Sequence, residues 1–248
     1  MSVLLLEAPL PHGAHACFTG RDLEHEPLPV GQPGNLSHRR PHRPSDLART
    51  RTEVGRALGW SPEGWQWMHQ VHGDRVAEVT AETLRGAELR GVDALVTFEV
   101  DRPLVVQAAD CVPVLIAGPG GVAAVHAGRA GVHGRVVTRA VERLAEGGQP
   151  PGQLTAVVGP AIGGCCYEVP AALRDEVAAV NPDASATTGW GTPALDLPAA
   201  VARELADAGV TDVRRVGGCT LEDERFFSHR RDPEAGRQVG VVVRAGAS

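Results

Sequence analysis

Three short motifs place a possible metal ligand or nucleophile at the end of an apolar run: HQVHGD (69–74), AADC (108–111) and AVHAG (124–128). One thiolate and two neutral imidazoles suit zinc, and three protein ligands leave a fourth position open, as in catalytic zinc sites. The gaps of 39 and 15 residues between His72, Cys111 and His126 match no zinc-finger spacing, so only the fold can bring them together. The alternative is a small buried cysteine and two histidines bonded to backbone groups.

The run VVQAADCVPVLI (105–116) predicts two strands separated by a turn. A strand interior disfavours an unpaired carboxylate, and proline there removes a ladder donor. We therefore expect one strand to end near Ala109 and the chain to turn at Asp110-Cys111 before the next strand. Asp110 either caps this turn or orients a ligand histidine, and capping is the preferred interpretation.

The order of elements predicts an α+β fold. Strand-like runs are VDALVTF, PLVVQAA, VPVLIAG, GVAAVHAG, LTAVVGP and RQVGVVVRA, and several follow one another without an intervening helix. Helical patterns begin after Ser45, near Arg135, at Pro170 and at Asp196. We expect mixed β-sheets covered by outer helices, a layered αββα-like sandwich, in one domain over residues 1–248.

Three further segments carry possible binding groups. Arg51 falls on the apolar stripe of the first helix, so it needs either an internal partner or an anionic ligand. The turn that contains Gly163, GPAIGG (159–164), could offer backbone N–H groups to an anion. The segment FFSHRRDPEAGR (226–237) forms either a pocket wall or a solvated turn anchored by its two phenylalanines, and the solvated turn is preferred.

Composition limits the partners. The net charge is −6 and the pI about 5.9, which disfavours a broad nucleic-acid-binding face. All 24 basic side chains other than histidine are arginine, so lysine Schiff-base chemistry is impossible. Five scattered cysteines and an N-terminus without a positive region favour a cytoplasmic protein. We expect small-molecule substrates, no nucleic-acid or membrane partner, and a monomer or weak homodimer.

Together these segments resemble the bacterial laccase-domain family, also called YfiH-type or multicopper polyphenol oxidoreductase-like proteins. The matching pieces are NLS (35–37), QVHG (70–73), VDALVT (92–97), ADCVPVLI (109–116), HAG (126–128), GPAIGGCCYEV (159–169) and SHRRD (228–232). They occur in the family's order and span nearly the whole chain. Family members are described as purine nucleoside phosphorylases with added adenosine deaminase activity.

The resemblance implies that His72, Cys111 and His126 hold Zn²⁺, with copper as a less favoured metal, and that they act in catalysis on purine nucleosides and phosphate. It also implies a catalytic and phosphate-binding role for Arg51. We further predict substrate-binding roles for Asn35, Gly163 and His229, which lie in or next to the matching pieces.

Two departures from the family pattern concern substrate binding. Family members commonly have His-Ala-Gly-Trp-Arg-Gly where this chain has HAGRAG (126–131), and Thr-Gly-Arg where it has AGR (235–237). The first change removes a tryptophan and shifts an arginine, and the second removes a hydroxyl. Both affect substrate preference more than metal binding.

Other functions stay open on the sequence. The same residues could serve a cysteine hydrolase acting on an amide such as a cell-wall precursor peptide, with Cys111 as nucleophile and His126 or His72 as base. Copper-dependent polyphenol oxidation is less favoured because the chain lacks the many His-x-His clusters of a multicopper oxidase. A non-catalytic binding module is the remaining alternative.

Overall fold

The computed structural model describes residues 3–25, 28 and 30–246. The described part of the chain contains fourteen β-strands and five α-helices. The strands are β1 (Val3–Glu7), β2 (Ala14–Asp22), β3 (Trp67–His69), β4 (Val76–Glu78), β5 (Glu88–Arg90), β6 (Ala94–Thr97), β7 (Leu104–Ala108), β8 (Val112–Ala117), β9 (Val122–Ala127), β10 (Thr155–Val158), β11 (Ser185–Thr187), β12 (Pro193–Leu195), β13 (Asp212–Arg215) and β14 (Gln238–Arg244). The helices are α1 (Pro44–Leu58), α2 (Arg129–His133), α3 (Val136–Glu146), α4 (Ala171–Val180) and α5 (Leu197–Asp207).

Two main sheets form the centre of the molecule. One has four strands in the order β1-β2-β14-β7, and the other has six strands in the order β13-β10-β8-β9-β6-β4. The larger sheet is mixed, because β8, β9 and β10 pair antiparallel while β4 and β13 pair parallel to their neighbours. Two short pairs, β3 with β5 and β11 with β12, lie outside these sheets.

Three apolar clusters hold the layers together. The largest packs one face of the six-stranded sheet against α2 to α5, and it contains Val114, Val125, Val141 and Leu205. A second cluster fills the space between the two sheets, and a third places Val54 of α1 against the four-stranded sheet. The layer order is therefore helix, sheet, sheet, helices, which confirms the predicted αββα arrangement.

The apolar run at 105–116 crosses from one sheet to the other. Strand β7 belongs to the four-stranded sheet and β8 to the six-stranded sheet, and residues 109–111 join them. Asp110 has a φ of 88°, in the left-handed region that a chain reversal requires and that Asp tolerates better than most residues. The predicted break at Asp110-Cys111 is confirmed, and it marks the passage between layers.

The predicted strands and helices are present in the structure, together with several elements that were not predicted. Each of the six strand-like runs contains a strand, and the four helical patterns correspond to α1, α3, α4 and α5. Helix α1 begins at Pro44, with Arg43 as its N-cap and no side-chain cap, so Ser45 does not cap it as expected. Strands β1, β2, β4, β5, β11, β12 and β13 and helix α2 were not predicted. Among the described residues, no helix combines the length and apolar character needed to cross a membrane.

Candidate metal centre and substrate cavity

Cys111 lies at the turn between the two sheets, partly exposed, immediately before β8. The carboxylate of Asp110 stabilises this turn. One oxygen accepts a hydrogen bond from the Thr220 hydroxyl at 2.6 Å, and the other accepts the Arg230 backbone N–H at 2.7 Å. Asp110 therefore ties this turn to the distant segments that contain Thr220 and Arg230. Neither expected role is seen among the described residues, because its carboxylate does not cap its own turn and has no hydrogen bond to His72 or His126.

His72 lies in the loop between β3 and β4, with a φ of 61° that is uncommon for a residue with a side chain. The carboxylate of Asp93 holds this loop, because it accepts three consecutive backbone N–H groups. The distances are 3.2 Å from Val71, 2.9 Å from His72 and 2.8 Å from Gly73. The strained conformation that exposes the His72 imidazole is thus fixed by one buried acid.

His126 lies near the end of β9 and is 3% exposed. Its Nδ1 lies 2.8 Å from Oδ1 of Asp93, and its backbone N–H donates to the Asp93 carbonyl at 2.7 Å. Because Asp93 accepts the hydrogen on Nδ1, Nε2 is the nitrogen left to act as a ligand. A carboxylate behind a histidine is the usual way to fix a metal ligand's tautomer and orientation.

The three ligand atoms of His72, Cys111 and His126 all lie within 4.8 Å of one another. The two imidazole rings meet edge to face, with centroids 4.9 Å apart. Gly128 leaves this space open: a Cβ on it would lie 2.9 Å from Cδ2 of His72 and 3.2 Å from Sγ of Cys111. Two imidazoles and a thiol around a pocket kept clear by glycine fit a tetrahedral ion with one position open.

The electrostatics of the chain itself favour a thiolate at this position. Burial raises the pKa of Cys111, but the His126 and His72 imidazoles more than offset it and lower the pKa from 9.0 to about 6. Burial lowers the pKa of His126, but the Cys111 thiolate and Asp93 raise it to about 9. Burial likewise raises the pKa of Asp93, and its bonds to His126 and the loop N–H groups lower it overall. A divalent cation would replace the imidazolium proton as the partner of the thiolate.

This cluster opens into a cavity of about 620 Å³. Apolar side chains, including Met68, Ala109 and Leu197, form part of its wall, and Tyr167 adds an aromatic ring. The wall also carries five guanidinium groups, those of Arg39, Arg40, Arg129, Arg230 and Arg237. A cavity of this size and positive charge suits a small anionic or phosphate-bearing ligand.

The five arginines differ in what they already bind. Arg39 pairs with Glu88, and Arg40 and Arg237 donate to the Ala235 carbonyl. Within the part of the chain that the structure describes, the guanidinium groups of Arg129 and Arg230 have no hydrogen bond or ion pair. Arg230 instead lies over the Tyr167 ring, 5.1 Å from its centroid. Arg129 and Arg230 are thus the arginines most available to an anion.

The remaining predicted site residues divide into one that lines the cavity and three that do not. His229 lines it, and so does Arg230, and both are also exposed, so the segment 226–237 contains a solvent-exposed turn that contributes to the cavity wall. Phe226 and Phe227 are fully buried and anchor this turn, as the preferred interpretation expected. Arg51, Asn35 and Gly163 are absent from the lining.

Each of those three residues has a contact elsewhere in the protein. Arg51 donates through Nε and Nη2 to the Leu36 carbonyl at 3.1 and 2.8 Å, and its guanidinium lies 4.2 Å from the Trp67 ring. The side-chain NH₂ group of Asn35 donates to the Ser37 carbonyl, and its oxygen accepts the backbone N–H groups of Ser37 and Arg237. The N–H of Gly163 faces the sulfur of Cys219 at 3.4 Å. The inward position of Arg51 is therefore explained by internal partners, and Asn35 positions a segment of the wall.

Asp93, Tyr167 and Arg129 were not predicted from the sequence as functional residues, and Arg230 was considered only as part of the segment 226–237. The signal for Asp93 was a single acid at the start of the apolar run VDALVT. A buried carboxylate in that position needs hydrogen-bond donors. Arg129 was noted only as a departure from the family's tryptophan, and its place in the cavity wall follows from its position one residue after the end of the HAG motif.

Comparison with known proteins places the chain in a family. Residues 15–245 match the family model described as multi-copper polyphenol oxidoreductase laccase, and the chain belongs to this family. It is 43% identical over 237 residues to purine nucleoside phosphorylase ORF3 of Streptomyces griseus, covering 95% of this chain and 96% of the relative. It is 44% identical over 233 residues to purine nucleoside phosphorylase SCO2081 of Streptomyces coelicolor, covering 93% and 96%. Among solved structures, YlmD from Geobacillus stearothermophilus has a TM-score of 0.85 at 30% identity, covering 96% of this chain and 94% of that chain.

Proposed function

We propose that this protein is a zinc-dependent purine nucleoside phosphorylase. It would convert adenosine, inosine, guanosine or methylthioadenosine, together with inorganic phosphate, to the free base and a pentose 1-phosphate. The observation that carries the proposal is the meeting of His72, Cys111 and His126 on the wall of an arginine-rich cavity. The purine nucleoside phosphorylases among its relatives support the substrate class.

The cavity has room and charge for both substrates. Its volume of about 620 Å³ lies in the range of small-molecule sites, which is roughly 300–1,000 Å³. Arg129 and Arg230 offer guanidinium groups that match phosphate geometry, and phosphate would give them the partner they lack among the described residues. Met68 and Leu197 offer apolar surface to the faces of a purine.

In phosphorolysis a phosphate oxygen forms a bond to C1′ of the pentose while the bond from C1′ to the purine nitrogen breaks. The electron pair of that bond leaves with the base, which takes up a proton. The arginines bind the phosphate next to C1′, so the reaction between two bound partners avoids the entropy of a bimolecular encounter. Their positive charge also offsets the repulsion between the anion and the electron-rich pentose oxygens.

The residues of the cluster fit zinc. Asp93 keeps Nε2 of His126 free to ligate and fixes the loop of His72, and Gly128 leaves the space between the ligands clear. Zinc held there would supply a Lewis acid for the nucleoside, and a bound water of lowered pKa for an accompanying adenosine deaminase activity. Copper is the alternative metal, and metal analysis of the purified protein distinguishes the two.

The test is incubation of zinc-replete protein with inosine or adenosine, with and without phosphate, with free base measured by chromatography. We expect base release that requires phosphate, and no release above background from Cys111→Ala. Cys17→Ala is the matched control, because Cys17 is buried in β2 and is not a member of the ligand cluster. Base release at the wild-type rate by Cys111→Ala would refute the proposal. Inosine formed from adenosine reports the deaminase activity in the same assay.

A second function is favoured by one specific observation. Cys111, His126 and Asp93 form a thiol–imidazole–carboxylate series, the arrangement of a cysteine hydrolase. The alternative is therefore hydrolysis of an amide, with a cell-wall precursor peptide as a candidate substrate. Amide cleavage by metal-free protein in the presence of chelator, with alkylation of Cys111 by iodoacetamide abolishing it, would favour this function over phosphorolysis.

A further inference from the structure

A second cluster of metal-binding side chains lies apart from the cavity. Cys165 and Cys166 follow β10 in the segment before α4, and Cys219 and Glu222 lie in the loop after β13. The three sulfurs and one carboxylate oxygen all lie within 4.8 Å of one another. The sulfurs of Cys165 and Cys166 are 3.2 Å apart, and Oε2 of Glu222 is 3.5 Å from Sγ of Cys165. None of the four residues lines the cavity.

These spacings fit one tetrahedral zinc ion. Bonds of about 2.3 Å to sulfur and about 2.1 Å to oxygen give tetrahedral edges of about 3.8 Å between sulfurs and about 3.6 Å between sulfur and oxygen. The observed separations require shifts of well under 1 Å at the closest pair, Cys165 and Cys166. Three sulfur ligands select a soft or borderline ion such as Zn²⁺ over Mg²⁺ or Ca²⁺.

One backbone N–H group points to a sulfur of the cluster. The N–H of Gly163 points to Sγ of Cys219 at 3.4 Å, and such bonds offset the charge of a ligating thiolate. The backbone also joins the two segments next to the cluster, because the N–H of Thr220 donates to the Ala161 carbonyl at 3.1 Å. Main-chain contacts therefore hold the two segments next to each other, independently of any ion.

Exposure changes across the cluster in the way that an ion-binding site needs. Cys166 is 4% exposed, Cys165 and Cys219 are partly exposed, and Glu222 lies at the surface. An ion could thus enter at the carboxylate and be enclosed by the sulfurs. All five cysteines of the chain lie in its described part and are free thiols, so no disulfide consumes these ligands.

We propose that Cys165, Cys166, Cys219 and Glu222 form a second zinc site with a structural role. Four protein ligands leave no open position for substrate, which is the pattern of structural zinc. The ion would fasten the 219–222 loop to the 163–166 segment. The Thr220 hydroxyl in that loop donates to Asp110, and the turn at Asp110 carries Cys111. The second site would therefore help to fix the position of Cys111 in the first site.

The test uses Co²⁺ as the probe in protein whose first site is removed by His72→Ala and Cys111→Ala. We expect this double variant to bind one equivalent of Co²⁺ and to show intense tetrahedral d–d bands with thiolate charge-transfer bands in the near ultraviolet. Adding Cys219→Ala should abolish the charge-transfer bands or lower the affinity at least tenfold, whereas adding Cys17→Ala should leave the spectrum unchanged. Absence of a cobalt spectrum in the double variant would overturn the proposal, as would a spectrum indifferent to Cys219→Ala.

Two further measurements distinguish loss of the site from misfolding of a variant, and a metal site from a disulfide. Glu222→Gln alters only a surface side chain, and we expect it to shift the d–d bands while the charge-transfer bands remain. An unchanged d–d spectrum would remove Glu222 from the site. Titration of the denatured, unreduced wild-type protein should find five thiols. A count of three would indicate a disulfide and contradict a metal site.

Discussion

Replacing Asp93 by Asn tests whether one buried carboxylate organises the candidate metal centre. Its Oδ1 accepts the His72 N–H and faces Nδ1 of His126, and its Oδ2 accepts the N–H groups of Val71 and Gly73. The side chain of Asn has one oxygen and one NH₂ group in place of the two oxygens. Whichever way the amide is oriented, its NH₂ group faces two of the four donors and cannot accept from them. Two partly buried donors left without an acceptor cost at most about 1–3 kcal/mol each, so the variant should lose up to about 6 kcal/mol of stability.

The same substitution should weaken zinc binding, because His126 loses the acceptor that fixes its ring and the His72 loop loses its anchor. Loss of such a supporting contact typically costs about 10–100-fold in metal affinity. Urea unfolding measures the stability, and competition with a chromogenic chelator measures the affinity. Asp74→Asn is the matched control in the same loop, since Asp74 pairs with Arg139 at the surface and such pairs contribute at most about 1 kcal/mol. An Asp93→Asn variant that behaves like Asp74→Asn in both assays would refute the role assigned to Asp93.

Three other predictions follow from the geometry. Gly128→Ala should reduce zinc affinity at least tenfold with the fold retained, since its Cβ would lie 2.9 Å from His72; Gly152→Ala, which meets nothing within 4 Å, is the control, and equal affinities would contradict the prediction. Burial raises the pKa of Glu204 from 4.5 to about 7, so the folded state holds its proton more tightly and stability falls as pH rises from about 4.5 to 7. The stability of Glu204→Gln relative to wild type should therefore increase by up to about 3 kcal/mol as the pH rises from about 4.5 to 8. Urea unfolding that gives the same pH dependence of stability for both proteins would refute this. Arg129→Ala should raise the KM for phosphate about tenfold or more, as expected for a charge-assisted contact, and an unchanged KM would remove Arg129 from the proposed phosphate site.

The sequence predicted the turn at Asp110-Cys111 because a polar pair interrupts an otherwise buried run. It could not predict that His72 and His126 meet this turn. They meet because β7 and β8 lie in different sheets and β9 pairs with β8. The local pattern of apolar and polar residues does not show which strands pair with each other. The resemblance to a family supplied the ligand set that spacing alone left open.

Arg51 shows a different limit. Helical periodicity placed it on the buried side of α1, and the structure has it half-buried over Trp67. Its guanidinium donates to the main-chain carbonyl of Leu36. Because every residue carries a main-chain carbonyl, the sequence could not show whether Arg51 binds such a carbonyl or a ligand.

Asp93 was missed for a related reason. Its donors come from the loop at 71–73 and from His126, segments that are distant from it in sequence. For the segment 226–237 the sequence predicted the anchor correctly, since Phe226 and Phe227 are buried and exposed turn residues follow them. It could not show that this turn also lines the cavity, because the other walls of the cavity come from distant segments.

Anomalous diffraction at the zinc edge, from crystals of zinc-replete protein, shows directly whether His72, Cys111 and His126 hold a zinc ion. We expect a peak about 2.3 Å from Sγ of Cys111 and about 2.0–2.1 Å from one ring nitrogen each of His72 and His126. A fully loaded crystal with no peak among these three atoms would contradict it.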